Sequence, residues 1–167
     1  MTKLHHLRNT SGYKTKQQQP QGKWFVPRKI KRSQCPLNYG IEVFGDQWSL
    51  LLIRELILKG KRTFNELLQV DEHISTNILT SRLRHLKKVG LIKSERHPQH
   101  KQKRLFSLTP RGLDLLPVIV EIGLWSDKHG KNLREAQRIL FGDQGKADAK
   151  GRKELYQTVA KAHGIEV

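Results

Sequence analysis

Residues 75–112 read STNILTSRLRHLKKVGLIKSERHPQHKQKRLFSLTPRG, and their pattern decides how the chain folds. Ser75 is a short hydrogen-bonding residue at the head of an amphipathic run, where a helix N-cap belongs. Leu79, Leu83 and Leu86 follow at spacings of four and three, giving a helix over 76–89 one apolar stripe. Gly90 stops it. Leu91 to His97 and Arg104 to Leu108 fit paired strands, with Pro98–Lys103 as the tip. Thr109-Pro110 then supplies the N-cap and first position of another helix. Between Arg82 and Arg104 nine Lys/Arg stand against one acid, Glu95. The stretch therefore predicts a basic helix beside a basic hairpin.

On a helical wheel the three leucines share a narrow arc, and Asn77, Thr80, Ser81, Arg84 and Lys88 fall opposite it. Short hydrogen-bonding side chains with one arginine suit entry into a major groove about 12 Å wide, where acids would be repelled by phosphates. Arg84 is the candidate for bidentate contact to guanine. Asn77 is placed to read adenine or to hold a phosphate near the helix N-terminus, beside Ser75 and Thr76, and Thr80 and Ser81 suit either task. Lys88, at the far end, is expected on a phosphate. The hairpin would project Arg96, His97, His100, Lys101, Lys103 and Arg104 at the backbone or the neighbouring minor groove, with Arg62 and Thr63 adding backbone contacts. His97 and His100 invite a metal reading, but on a hairpin tip they serve more simply as groove or phosphate contacts. Neither metal nor cofactor is expected. The fold class that follows is mainly α (α+β), a winged helix-turn-helix whose wing is the short β-hairpin.

The totals agree with a polyanionic partner. The 167 residues carry a net charge of +17, with a pI near 10.3. Residues 1–35 hold nine Lys/Arg and no acid, so over half the excess sits in an arm that cannot build a core. The expected organisation is a basic arm over 1–34, a DNA-binding domain over 35–129, to which the resemblance given below adds dimerisation, and a polar, partly helical extension over 130–167. No run approaches the ~18 apolar residues of a spanning helix. The N-terminus shows no apolar signal region, so no membrane partner and a cytoplasmic location are expected. One cysteine excludes an internal disulfide and a cysteine-cluster metal site. The absence of a Gly-rich phosphate loop or paired nucleophile argues against an enzyme.

Ahead of the central stretch, Leu37, Ile41, Val43 and Phe44 outline a helix over 37–44. Asp46 is the candidate N-cap of QWSLLLIRELILK, residues 47–59, apolar nearly all round as a core helix is. Gly60 ends it. Thr63 and Glu66 have capping-box spacing for a helix over 64–69. Downstream, Pro117 should bend or split the helix that runs through LDLLPVIVEIGLW. Asn132 to Phe141 outlines a further helix, and Arg152 to His163 a weak terminal one.

Several ordered blocks resemble the HxlR family, helix-turn-helix regulators related in fold to MarR proteins. They are Cys35-Pro36, Gly45-Asp46-Gln47-Trp48 and Arg62-Thr63-Phe64-Asn65-Glu66-Leu67. Ile74, Ser75, Leu79, Leu83, Leu86, Gly90 and Leu91 follow at family spacing, then Ser107 to Gly112, Leu116-Pro117 and Trp125. The resemblance spans about residues 35–129. It implies a homodimer that binds two half-sites of double-stranded DNA and regulates transcription. The family's dimerisation helices would be 37–44 and Leu113–Trp125. One departure stands out: the usual Pro-Pro-x-Val-Glu-Tyr before the second wing strand is replaced by Lys101-Gln102-Lys103-Arg104-Leu105-Phe106, which makes this wing more basic.

Cys35 follows Arg28, Lys29, Lys31 and Arg32 and precedes a helix start, surroundings that favour a thiolate. Some members of the resembled family sense oxidants or electrophiles at this position, so an oxidant or small-molecule effector is one expectation. The other is a small buried residue packing the dimer helix. Two functional readings stand at this point: a sequence-specific dimeric regulator, and an architectural protein binding DNA with little sequence preference.

Overall fold

The computed structural model describes residues 33–100, 102–131, 140–141 and 148–166. Residues 1–32 of the arm, Lys101 and most of the helix expected over 132–141 lie outside the described residues. Helix α1 (Pro36–Phe44) leads to the turn at Gly45, where Asp46 prepares the central helix. Its carboxylate accepts from the backbone N–H of Trp48 at 2.9 Å and of Ser49 at 3.0 Å, and from the Ser49 hydroxyl. Helix α2 (Ser49–Leu58) starts there, two residues later than the periodicity alone predicts, because Asp46 supplies its cap from an Asx-type turn. Leu52, Ile53 and Leu56 of α2 are buried at the middle of the core. Each such side chain contributes about 1.5–3 kcal/mol through burial.

Glu55 on the same helix is 2% exposed and ionic. Lys61 reaches one of its oxygens at 2.6 Å and Arg54 the other at 2.7 Å, and Arg54 also holds Glu72 at 2.8 Å. A carboxylate so placed would be costly without both partners.

Helix α3 (Phe64–Leu68) carries the full capping box, with the Glu66 N–H 3.4 Å from Thr63 Oγ1 and the Thr63 N–H 2.8 Å from Glu66 Oε2. After a turn containing Ile74, helix α4 (Thr76–Lys88) begins at its Ser75 cap, whose Oγ accepts from the Ile78 N–H at 3.4 Å. Leu79, Leu83 and Leu86 are buried, as the stripe requires. Gly90, at φ 73°, turns the chain out of α4 in a conformation a side chain would resist.

Strands β1 (Ile92–Arg96) and β2 (Arg104–Leu108) pair antiparallel, with Ile92 opposite Leu108 and Arg96 opposite Arg104. The segment ahead of α3 joins them as a strand stub. Phe106 N–H donates to the Arg62 carbonyl at 2.7 Å, and Thr63 bridges to Leu105.

The apolar run after Thr109 is split, as Pro117 requires. Helix α5 (Pro110–Leu113) is one turn capped by Thr109, and α6 (Leu116–His129) follows with Pro117 in its first turn, where no N–H is needed. The last helix, α7 (Ala149–Ala162), is capped by Asp148 and starts three residues before the expected Arg152. Its Val159 and Ala160 are buried in the same core as α2 and α4. The sequence pattern undervalues this helix, because part of its docking is polar.

Candidate nucleic-acid interface

Two bonds orient α4 from the side away from the wing. The His85 Nε2 donates to the Val43 carbonyl at 2.8 Å, and Arg82 pairs with Asp46 at 3.2 Å. Burial alone would raise the Asp46 pKa, but its bonds from Ser49 and Trp48 and the Arg82 charge outweigh that and hold it below the ordinary carboxylate value. Arg82 therefore belongs to the scaffold, although in sequence it counts among the nine clustered cations.

Thr76, Asn77, Thr80, Ser81, Arg84 and Lys88 are all exposed, together with the cap residue Ser75. Thr80 sits toward the wing flank of the face, and its hydroxyl donates to the Thr76 carbonyl at 2.8 Å. Ser81 accepts from Arg82 at 3.4 Å. Among the described residues, no hydrogen bond or ion pair occupies the Asn77, Arg84 or Lys88 side chain, so their donors point at solvent. No acid lies in the first turn of α4. Its N-terminus thus offers backbone N–H groups and positive dipole to a phosphate.

The hairpin stands beside this helix, with α4 packed on β1. An open groove of about 260 Å³ separates them, with Phe64, Leu83 and Phe106 as apolar lining and Arg84, Lys87 and Arg104 as cations. Arg104 is steadied by Ser94 at 3.3 Å. Lys93 is offset by Glu95 at 3.1 Å, while Arg96, His100 and Lys103 are exposed. At the tip, Gln99 N–H donates to His97 Nδ1 at 3.1 Å, and the His97 and His100 rings lie 5.0 Å apart. Among the described residues no cluster of three metal-ligating side chains occurs. Lys101 lies outside the described residues.

Lys87 is the groove cation that wheel reasoning passes over. It lies near the leucine stripe in angle, so only the wing packed beside α4 shows that its charge joins the same groove as Arg84 and Arg104.

Arg62 and Thr63, expected at the backbone, have internal partners. The Arg62 guanidinium donates to the Phe106 carbonyl at 2.6 Å, to the Ala162 carbonyl at 3.0 Å and to Ser107 Oγ. Three internal acceptors make it a brace between β2 and the C-terminal helix. The Thr63 hydroxyl is committed to the α3 cap, where it donates to Glu66 at 2.8 Å. Backbone N–H bonds from Arg62 and Thr63 hold the Glu66 carboxyl below its ordinary pKa, with a further attraction from Lys103.

On other faces, Cys35 is exposed at the head of α1. Leu37 and Ile41 of α1 and Ile122 and Trp125 of α6 are exposed apolar residues, Leu37 at 73% and Trp125 at 66%. Among the described residues no helix is long and apolar enough to cross a membrane.

Comparison with known proteins agrees with this fold. The model of the HxlR-like helix-turn-helix family matches residues 43–134, more than half of the chain. A Synechocystis protein named as an HTH-type transcriptional regulator is 36% identical over 86 residues, 52% of this chain and 63% of its own length. The HTH-type transcriptional regulator YybR of Bacillus subtilis is 31% identical over 114 residues, 67% of this chain and 90% of its own. Among solved structures, PA1607, described as a transcription factor, superposes with a TM-score of 0.60 at 27% identity, covering 70% of this chain and 80% of that one. A MarR-family protein of Porphyromonas gingivalis gives 0.52 at 31% identity, over 62% of this chain and all of that one. The redox regulator HypR in its oxidised form gives 0.50 at 26% identity, over 58% and 99%. With its winged helix, its exposed basic helix face and this match, the chain belongs to the HxlR-like helix-turn-helix family of transcriptional regulators.

Proposed function

We propose that the chain is a sequence-specific, dimeric DNA-binding regulator that reads the major groove with α4 and grips the backbone with its wing. The observation that carries this is the pairing of Asn77, Arg84 and Lys88, exposed on a capped helix, with Lys87 and Arg104 in the groove beside Arg84 and with Arg96 and Lys103 exposed on the hairpin. Arg84 suits the O6/N7 edge of guanine, and the wing cations suit phosphates. The apolar faces of α1 and α6 are where a second copy would pack, placing two reading helices on two half-sites.

An architectural role is the competing reading, favoured by the net charge of +17. Competition between duplex flanking the chain's own gene and random duplex, at fixed salt, separates the two. A regulator prefers its operator by ~10³ or more. Little preference, with log affinity falling about 0.9 per phosphate contact per decade of salt, would establish the architectural role instead. HypR is a redox regulator, and Cys35 is exposed, so the same titration is run on reduced, oxidised and Cys35→Ser protein. Equal operator affinity in all three would sink a thiol-based response.

A further inference from the structure

The family match ends at residue 134, and α7 lies beyond it. Its C-terminal turn nevertheless reaches the root of the wing. His163 is 5% exposed. Its Nδ1 accepts the Leu108 N–H, at the end of β2, at 3.0 Å. Its Nε2 lies 3.0 Å from the Leu56 carbonyl of α2. A carbonyl only accepts and an amide N–H only donates, so these partners fix a neutral imidazole with its proton on Nε2. One residue earlier, the Ala162 carbonyl accepts from Arg62, which also holds Phe106 of β2. The end of α7 is thereby tied to the core helix, the wing strand and the segment ahead of α3.

We propose that His163 is a positioning residue for the DNA-binding surface: it holds the root of the wing against α2, and its protonation releases that hold. The proposal rests on the function argued above. A protonated imidazole carries N–H on both nitrogens, so Nδ1–H would meet the Leu108 N–H donor to donor. The charged groups facing it are Arg62, ahead of α3, and Lys93, on β1, both cations. The α2 helix presents the Leu56 carbonyl and β2 the Leu108 amide. Just after α5, Asp114 takes the Tyr156 hydroxyl at 3.2 Å, and on α6 Glu121 pairs with Arg152. Burial lowers the imidazole's proton affinity most, the Leu56 carbonyl partly opposes that, and Arg62 and Lys93 lower it further. The sign follows: the unfolded histidine takes up its proton near about pH 6.5, the folded one at lower pH. Docking of α7 is therefore fully supported above that range and is lost as the pH falls through it.

The test uses the full chain and His163→Gln, whose amide can accept and donate but does not titrate. Affinity for the selected duplex is measured at fixed salt at about pH 7.5 and about pH 5.5, on either side of the ordinary imidazole range. The two proteins are expected to bind alike at the higher pH. On acidification the wild type should lose roughly fivefold relative to the variant. Any pH effect that arises outside residue 163 is common to both proteins and cancels in the comparison. Amide exchange of the DNA-free wild type, corrected for intrinsic rates, should accelerate at Leu108 and across 104–108 over the same interval. Parallel binding profiles for the two proteins overturn the positioning role, even with faster exchange. Unchanged protection at Leu108 overturns the hold itself, and this measurement decides the matter if the variant does not fold. A wild type that shows no preference for any duplex instead refutes the reading of function, while exchange still tests the hold.

Discussion

Arg84 and Lys103 carry equal charge but are held differently, and that predicts different losses. Arg84 projects from the outward face of a capped helix, beside the apolar groove and Arg104. A planar guanidinium held there can bond one base edge twice, so Arg84→Ala should cost about 1–3 kcal/mol at the cognate site and relax preference at one base position. Lys103 lies at the base of the wing tip, its backbone closing a turn with His97 and His100, and its ammonium is exposed. Lys103→Ala should weaken every duplex alike and lower the salt slope by about 0.9. Binding isotherms on cognate and point-substituted duplexes at several salt concentrations distinguish these effects. A uniform loss for Arg84→Ala would make it a phosphate clamp and move base reading to Asn77 or Ser81.

Elements written in local chemistry were legible in the sequence. Capping by Thr63 and Ser75, the leucine stripe of α4, the β2 bounds and the split near Pro117 all rest on signals within a few residues. Features that depend on distant partners were not. Arg62 looks like any surface cation until Phe106, Ser107 and Ala162 surround it, and α7 looks weak until His163 meets Leu56 and Leu108. Gly112 lies between these cases, since its block is visible but its reason is spatial. A Cβ there would come within 2.0 Å of the Leu91 carbonyl oxygen, against which α5 closes. That carbonyl already accepts the Thr109 N–H at 3.1 Å and cannot retreat without loosening the junction of α4, β1 and α5. Gly112→Ala should therefore destabilise the fold by at least about 2 kcal/mol. Thermal unfolding should show a fall of about 5 °C or more. An unchanged melting temperature would mean the junction is looser than this packing implies.

At the scale of the molecule, most of the exposed large apolar side chains among the described residues lie on α1 and α6, and that sets what assembly must achieve. Positive groups gather on α4 and the wing, while Leu37, Ile41, Ile122 and Trp125 remain exposed on α1 and α6. Residues 37 and 41 lie one helical turn apart, as nearly do 122 and 125, so each pair forms a patch on its helix. The Trp125 ring, with the His129 ring 5.0 Å away, would bury a large apolar area if a second copy covered it. A second reading helix then adds its half-site at high effective concentration, and affinity for a two-half-site duplex rises without any new kind of contact. Ile41→Glu combined with Trp125→Glu places two carboxylates in that buried surface and leaves α4 and the wing untouched. Sedimentation should show the wild type as a dimer and the variant as a monomer, with operator affinity reduced at least ~100-fold and affinity for a single half-site nearly unchanged. A variant that stays dimeric, or a wild type that is monomeric while binding its operator tightly, would remove α1 and α6 as the interface.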